Sequence, residues 1–186
     1  MLEGAEQLEP LLRAHRLALG VADGWFVRAA HAAASAHDGG ALRDVAGDEL
    51  ASRPAEVQRR AALAFGHALL RAASALATGP EQKIVAWVQE TLAANAPRAT
   101  SFGSVAYALG AAAEEAAEAH AYTVLAGMVA AAVRLRLIGT LEGQAVLRRV
   151  LTSRPIAPDE DWASCSPLLD VAAMRHELLE PRLFAS

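Results

Sequence analysis

Between positions 121 and 133 the chain carries no charged side chain, and from Val124 to Val133 it is apolar almost all round. A helix with such a surface has no face to give to water, so it needs other helices around it. Gly127, inside the run, suits close approach by a neighbour. We expect one helix over residues 111–137, the longest of the chain and the centre of its core. The uncharged run itself is too short to span a bilayer.

The rest of the sequence supplies the surrounding helices. Leu8, Leu11, Leu12 and Leu19 share a face, which predicts an amphipathic helix over residues 8–19 that Gly20 can end. A second helix is expected from Trp25 to about Ala36, before the turn residues His37, Asp38, Gly39 and Gly40. A short helix over residues 41–50 stops near Arg53-Pro54, where the residue before proline is biased away from helix. Pro54 and Pro80 then open two further helices, reaching Leu76 and about Ala94. Ser101 can cap a short helix to Gly110. After Gly139 an eighth helix covers residues 141–151, and Ser166-Pro167 begins the last. Residues 154–164, with two prolines and Asp159-Glu160-Asp161, are expected to form a loop. No segment alternates with strand period, so the fold class is all-α, a single-domain helical bundle of about eight to nine helices in residues 1–180 with a tail at 181–186.

Composition agrees and also excludes. Hydrophobic residues are 54% of the 186, aromatic ones only 5%, so the core must be built from alanine, leucine and valine. A net charge of -4 offers no basic face for nucleic acid. One cysteine, Cys165, excludes an internal disulfide and a cysteine zinc cluster; it reads as a passive thiol. An acidic N-terminus without an apolar run behind it is no signal peptide, and the expected compartment is the cytoplasm.

Catalytic and metal-binding patterns are missing. The six histidines, at positions 15, 31, 37, 67, 120 and 176, include no pair four apart that would put two ligands on one helical face, so no metal site is expected. No phosphate-cradling glycine loop occurs. Glu114, Glu115 and Glu118 form an acidic turn that reads as a solvated face. Arg134 and Arg136 follow the uncharged run, where positive charge complements a helix C-terminus; partner binding is an equal alternative.

The last twenty residues carry the sharpest pattern. Leu168, Leu169, Ala172 and Ala173 can face the body of the protein, Arg175, His176 and Glu177 cluster at the helix end, and Pro181 limits the helix. Leu183 and Phe184 follow, two large apolar groups where a polar terminus is usual. They either fold back on the domain or dock into a partner.

Arg175-His176-Glu177 followed by Arg182-Leu183-Phe184-Ala185-Ser186 resembles the ending of the urease accessory protein F family. The likeness continues through residues 119–144, with an apolar helix bearing a tyrosine, then Val133-Arg134-Leu135, Gly139 and Gln144. A weaker likeness covers residues 48–66, with an acid, an arginine and a glycine. Gly139-Thr140 replaces a common Gly-Gln pair, Ala173 replaces a serine, and the family's N-terminal Pro-x-Gly and Gly-Leu-Glu segment has no counterpart.

The resemblance implies a non-enzymatic accessory protein of urease maturation, needed for incorporation of the nickel centre. It implies that Arg175, His176, Glu177, Arg182, Leu183 and Phe184 engage the accessory protein called D or H. Arg134 would face the nickel-carrying accessory GTPase G, and urease apoprotein would be reached through the complex. Nickel would be handled by that complex, with no cofactor or metal bound directly by this chain, and homodimerisation is left open by the missing N-terminal segment. Two rivals compete: a helical ligand-binding or scaffold domain, which as the effector half of a transcription regulator should carry a basic helix-turn-helix, and an enzyme assembled from scattered polar groups around a buried pocket.

Overall fold

The computed structural model describes residues 5–152 and 167–176, and every regular element among them is a helix. In chain order these are α1 (Ala5–Ser35), α2 (Gly39–Ala51), α3 (Glu56–Leu76), α4 (Gly79–Leu92), α5 (Arg98–Ala108), α6 (Ala113–Arg134), α7 (Thr140–Leu151) and α8 (Pro167–His176). The all-α expectation holds, with eight helices among the described residues.

The first two expected helices are one. α1 runs for 31 residues straight through Gly20 and Gly24, and it, not α6, is the longest helix described. Glycine costs a helix interior only about 1 kcal/mol relative to alanine. Burial on both sides of Gly20 outweighs that, since Leu8, Leu12 and Leu19 before it and Phe26, Val27 and Ala30 after it are all buried. Each large apolar side chain buried contributes roughly 1.5–3 kcal/mol.

Two further boundaries differ from expectation. α6 covers 113–134 where 111–137 was expected, because a tight C-terminal turn closes it: the Arg136 N–H donates to Val133 O at 2.9 Å and the Leu137 N–H to Ala132 O at 3.0 Å. This turn holds Arg136 at φ 57°, a left-handed conformation that glycine normally fills. α5 begins at Arg98, so Ser101 is a buried residue of its first turn and not its cap.

Among the described residues the interior has two apolar clusters joined by α1. One gathers Phe26, Val27, Leu42, Leu70, Val88, Leu92 and Val105 from α1 to α5. The other gathers Leu8, Leu12, Leu19, Leu125, Val129, Val146 and Val150 from α1, α6 and α7. Backbones approach closely at Gly66, which meets the connection before α5, and at Gly103, which meets α1. A Cβ on Gly66 would lie 2.0 Å from Ala96 O, and one on Gly103 would lie 2.1 Å from Val27 O. α8 packs against α3.

α6 is indeed an interior helix, but it is not enclosed all round. Ala121, Leu125, Val129 and Ala132 are buried, while Gly127 and Ala130 are exposed. By length and composition the whole of α6 is long and apolar enough to cross a membrane, although the uncharged run within it is not. It spends that apolar surface on α1, α5 and α7 instead.

Candidate functional site

Where the two apolar clusters meet, the interior turns polar. Asp23 lies on α1 between Leu19 and Phe26, and His120 lies on α6 between Ala117 and Ala121, so each sits at the boundary. Their side chains meet, with His120 Nε2 3.0 Å from Asp23 Oδ2. Arg53, just beyond α2, donates from Nη2 to Asp23 Oδ1 at 3.3 Å and to Glu49 Oε1 at 2.9 Å.

Glu49 completes the cluster and explains the start of α5. The residue before that helix is Pro97, which has no side-chain group to cap it. Glu49, fully buried, caps it from α2: its Oε1 accepts the Ala99 N–H at 3.0 Å, and its Oε2 accepts the Thr100 N–H at 2.8 Å and the Thr100 hydroxyl at 2.9 Å. A carboxylate there satisfies orphan donors and complements the positive end of the helix.

The electrostatics follow from these contacts. Burial alone would raise the Asp23 carboxyl, but the His120 hydrogen bond and the Arg53 charge outweigh it and hold the group below the usual carboxylate range. Burial would lower the Arg53 guanidinium, yet Asp23 and Glu49 hold it above its ordinary value. His15 is pushed down by burial, with Asp23 opposing and Arg98 and Arg53 assisting. Burial also lowers Arg98.

This cluster has the perturbed titrating groups expected of an enzymatic site. Its carboxylates, however, are committed to fixed partners, which is how a buried charge is tolerated. Asp23, held ionised and paired, makes a poor general base at neutral pH, since proton transfer favours a group poised near the working pH. Among the described residues no group of three or more His, Cys, Asp or Glu side chains is gathered as a metal site. Three of the other histidines have structural surroundings: His31 Nε2 is 2.8 Å from Ala111 O, His67 Nε2 is 3.1 Å from Ala94 O, and His37 stacks on Trp87. The acidic turn of α6 is tied down too, with Glu114 3.5 Å from Arg28 and Glu118 3.5 Å from Arg16.

The residues expected to meet partners fall in two places. Arg134 ends α6 and is exposed, Leu135 after it is 63% exposed, and Leu141 in the first turn of α7 is 87% exposed. Neither the Arg134 side chain nor the Arg136 side chain makes a hydrogen bond or ion pair to another described residue. Arg175 is exposed in the last turn of α8, and His176 ends that helix. The His176 side chain, Glu177, Arg182, Leu183 and Phe184 lie outside what is described, as do Cys165 and the expected 154–164 loop.

One surface feature was not foreseen. Phe65 of α3, Arg98 of α5, and Thr123, Val124, Gly127, Met128 and Ala131 of α6 line an open groove of about 390 Å³. The Arg98 guanidinium carbon sits 4.8 Å from the Phe65 ring centroid, and its buried Nε has no acceptor among the described residues. Residues 123, 127 and 131 do repeat at helical spacing, but the periodicity of an all-apolar helix does not say which face stays bare.

Comparison with known proteins gives these surfaces a context. The sequence model of the UreF family matches residues 2–151. A protein from Agrobacterium fabrum named "Urease accessory protein UreF" is 29% identical over 84% of this chain and 70% of its own length. Proteins of the same name from Paenarthrobacter aurescens and Cereibacter sphaeroides are 28% and 35% identical, over 69% and 47% of this chain and 60% and 45% of their own lengths. The matched span takes in α1 to α7, both apolar clusters and the polar boundary between them. This chain belongs to the UreF family.

Proposed function

We propose that this chain is a urease accessory protein that takes part in incorporating the nickel centre of urease by holding other proteins together, without catalysing a reaction itself. The observation that carries the reading is the family match over residues 2–151, the whole packed body from α1 to α7. The buried polar cluster supports the non-catalytic part, because its charges are spent on fastening α1, α2, α5 and α6 to one another.

On this reading α8 and the residues after it, Arg175, His176, Glu177, Arg182, Leu183 and Phe184, engage the D or H accessory protein. Arg134 engages the nickel-carrying GTPase, and urease apoprotein is met through the complex. The exposed corner of Arg134, Leu135 and Leu141 suits a contact in which apolar surface supplies affinity and charge supplies register. Nickel is cargo of the assembly, which works in the cytoplasm.

Co-expression with the D or H protein and the GTPase tests this. Deleting Arg182 to Ser186 is expected to abolish co-purification with the D or H protein while the helical circular dichroism stays unchanged. Unchanged complex formation would remove the tail from the interface. Arg134→Ala is expected to weaken GTPase recruitment and to lower urease activation; normal activation would leave Arg134 as a helix-end charge.

A further inference from the structure

The groove between α3, α5 and α6 has the chemistry of a docking point. Its walls are apolar, from Phe65, Val124, Met128 and Ala131, and Gly127 leaves its floor open, since a Cβ there would meet nothing within 4 Å. Its charged group is Arg98, half-buried, with the Phe65 ring against one face of the guanidinium. Among the described residues the Arg98 side chain makes no hydrogen bond and no ion pair, and Asp23 and Glu49 reach it only as longer-range charges. A guanidinium presents a planar fork of donors that matches a carboxylate, and one shielded from water gains more from finding it.

The neighbouring donors narrow the occupant further. Arg98 begins α5, and a helix start would ordinarily offer free N–H groups to an anion. Here Glu49 already takes the Ala99 and Thr100 N–H groups, and the Thr123 hydroxyl donates to Ala119 O at 2.9 Å. A phosphate, which calls for several donors, is poorly served, and a single carboxylate is well served. The groove is also open along its length, whereas sites for small molecules enclose most of their ligand.

We infer that this groove receives a segment of a partner protein that inserts one aliphatic or aromatic side chain against Phe65, Val124 and Met128 and sets a neighbouring Asp or Glu on Arg98. The inference rests on the accessory-protein reading above and assigns the groove to the D or H protein. α3 links the two regions, because it carries Phe65 and is also the helix against which α8 packs. The groove thereby extends the contact proposed for α8 and the tail onto the folded body.

Affinity of the purified full chain for the D or H protein tests the inference. Gly127→Leu should fill the groove and keep the fold, as shown by an unchanged or raised melting temperature, and it is expected to weaken binding at least tenfold. Arg98→Gln is expected to weaken binding and to reduce its dependence on salt. A folded Gly127→Leu protein that binds within twofold of the unsubstituted chain overturns the inference. If deletion of Arg182 to Ser186 abolishes binding while Gly127→Leu does not, the groove fails and the accessory reading stands. If the unsubstituted chain does not bind the D or H protein, both fail. Loss of binding in Gly127→Leu with none in Arg98→Gln overturns the carboxylate.

Discussion

Glu49 Oε2 accepts the backbone N–H of Thr100 at 2.8 Å, across 51 positions of sequence. Through this contact a side chain of α2 determines where α5 begins. Removing it leaves Arg53 with a lost partner and the N–H groups of Ala99 and Thr100 without acceptors. Taking away one member of a buried charged network costs about 3–5 kcal/mol. Glu49→Ala is therefore expected to lower the urea midpoint severely, and denaturant unfolding followed by circular dichroism measures it. A midpoint close to that of the unsubstituted protein would remove Glu49 from the account.

His15 gives the protein a dependence on pH. Its folded value lies below the ordinary 6.5, mainly through burial, so the unfolded chain binds the proton more readily. Stability then rises with pH where the two states differ in protonation, and it falls as pH drops from about 6.5 toward the folded value. Asp23 acts lower on the scale. Its folded value is depressed below 3.8, so its contribution is present above that value and is lost as pH falls through the folded one. Melting temperatures from pH 7.5 to 5 should decline, and His15→Gln should flatten that decline without touching the acid limb that belongs to Asp23.

Three glycines on packed helices should respond in opposite directions. Alanine at Gly66 or Gly103 would drive a Cβ into the carbonyl oxygen of Ala96 or Val27, and overpacking of this kind costs typically about 1–3 kcal/mol. Alanine at Gly127 meets nothing and removes an interior helix glycine, for a gain of up to about 1 kcal/mol. Thermal unfolding of the three variants separates these outcomes.

Arg136 is expected to be replaceable with profit to stability. It holds φ 57° in the turn that ends α6, and glycine takes that conformation without the roughly 1 kcal/mol penalty of a side chain. Arg136→Gly should raise the melting temperature. A fall would show that the arginine side chain stabilises the turn by more than its backbone costs.

Punctuation that acts over a few residues was legible in the sequence. Pro54, the Thr78-Gly79-Pro80 turn and Gly139 lie at the starts of α3, α4 and α7 within a residue or two of expectation. What could not be read was decided at a distance. Gly20 looked like a stop because its neighbours in sequence are weak, while the partners that carry α1 past it are on α5, α6 and α7. Ser101 looked like a cap because the true one, Glu49, is on another helix.

The same holds for the sites. That Arg134 lies near the end of α6 was legible from the close of the uncharged run, whereas the groove depends on which face of an all-apolar helix its neighbours leave bare. Asp23, Glu49, Arg53 and His120 were not singled out, although the four-residue spacing of Glu49 and Arg53 fits a pair on one helical face. The family likeness over residues 48–66 touched two of them without giving a reason for either.

α1 contributes side chains to both apolar clusters and one carboxylate to the boundary between them. Neither half of the bundle can therefore loosen alone, because the strip of α1 it releases is continuous with the strip buried in the other. Hydrogen exchange should find the amides of α1 opening only with the whole molecule. A rigid body of this kind presents the corner at Arg134 and the groove at Arg98 in a fixed relation, so proteins bound at the two places would be held at a constant separation.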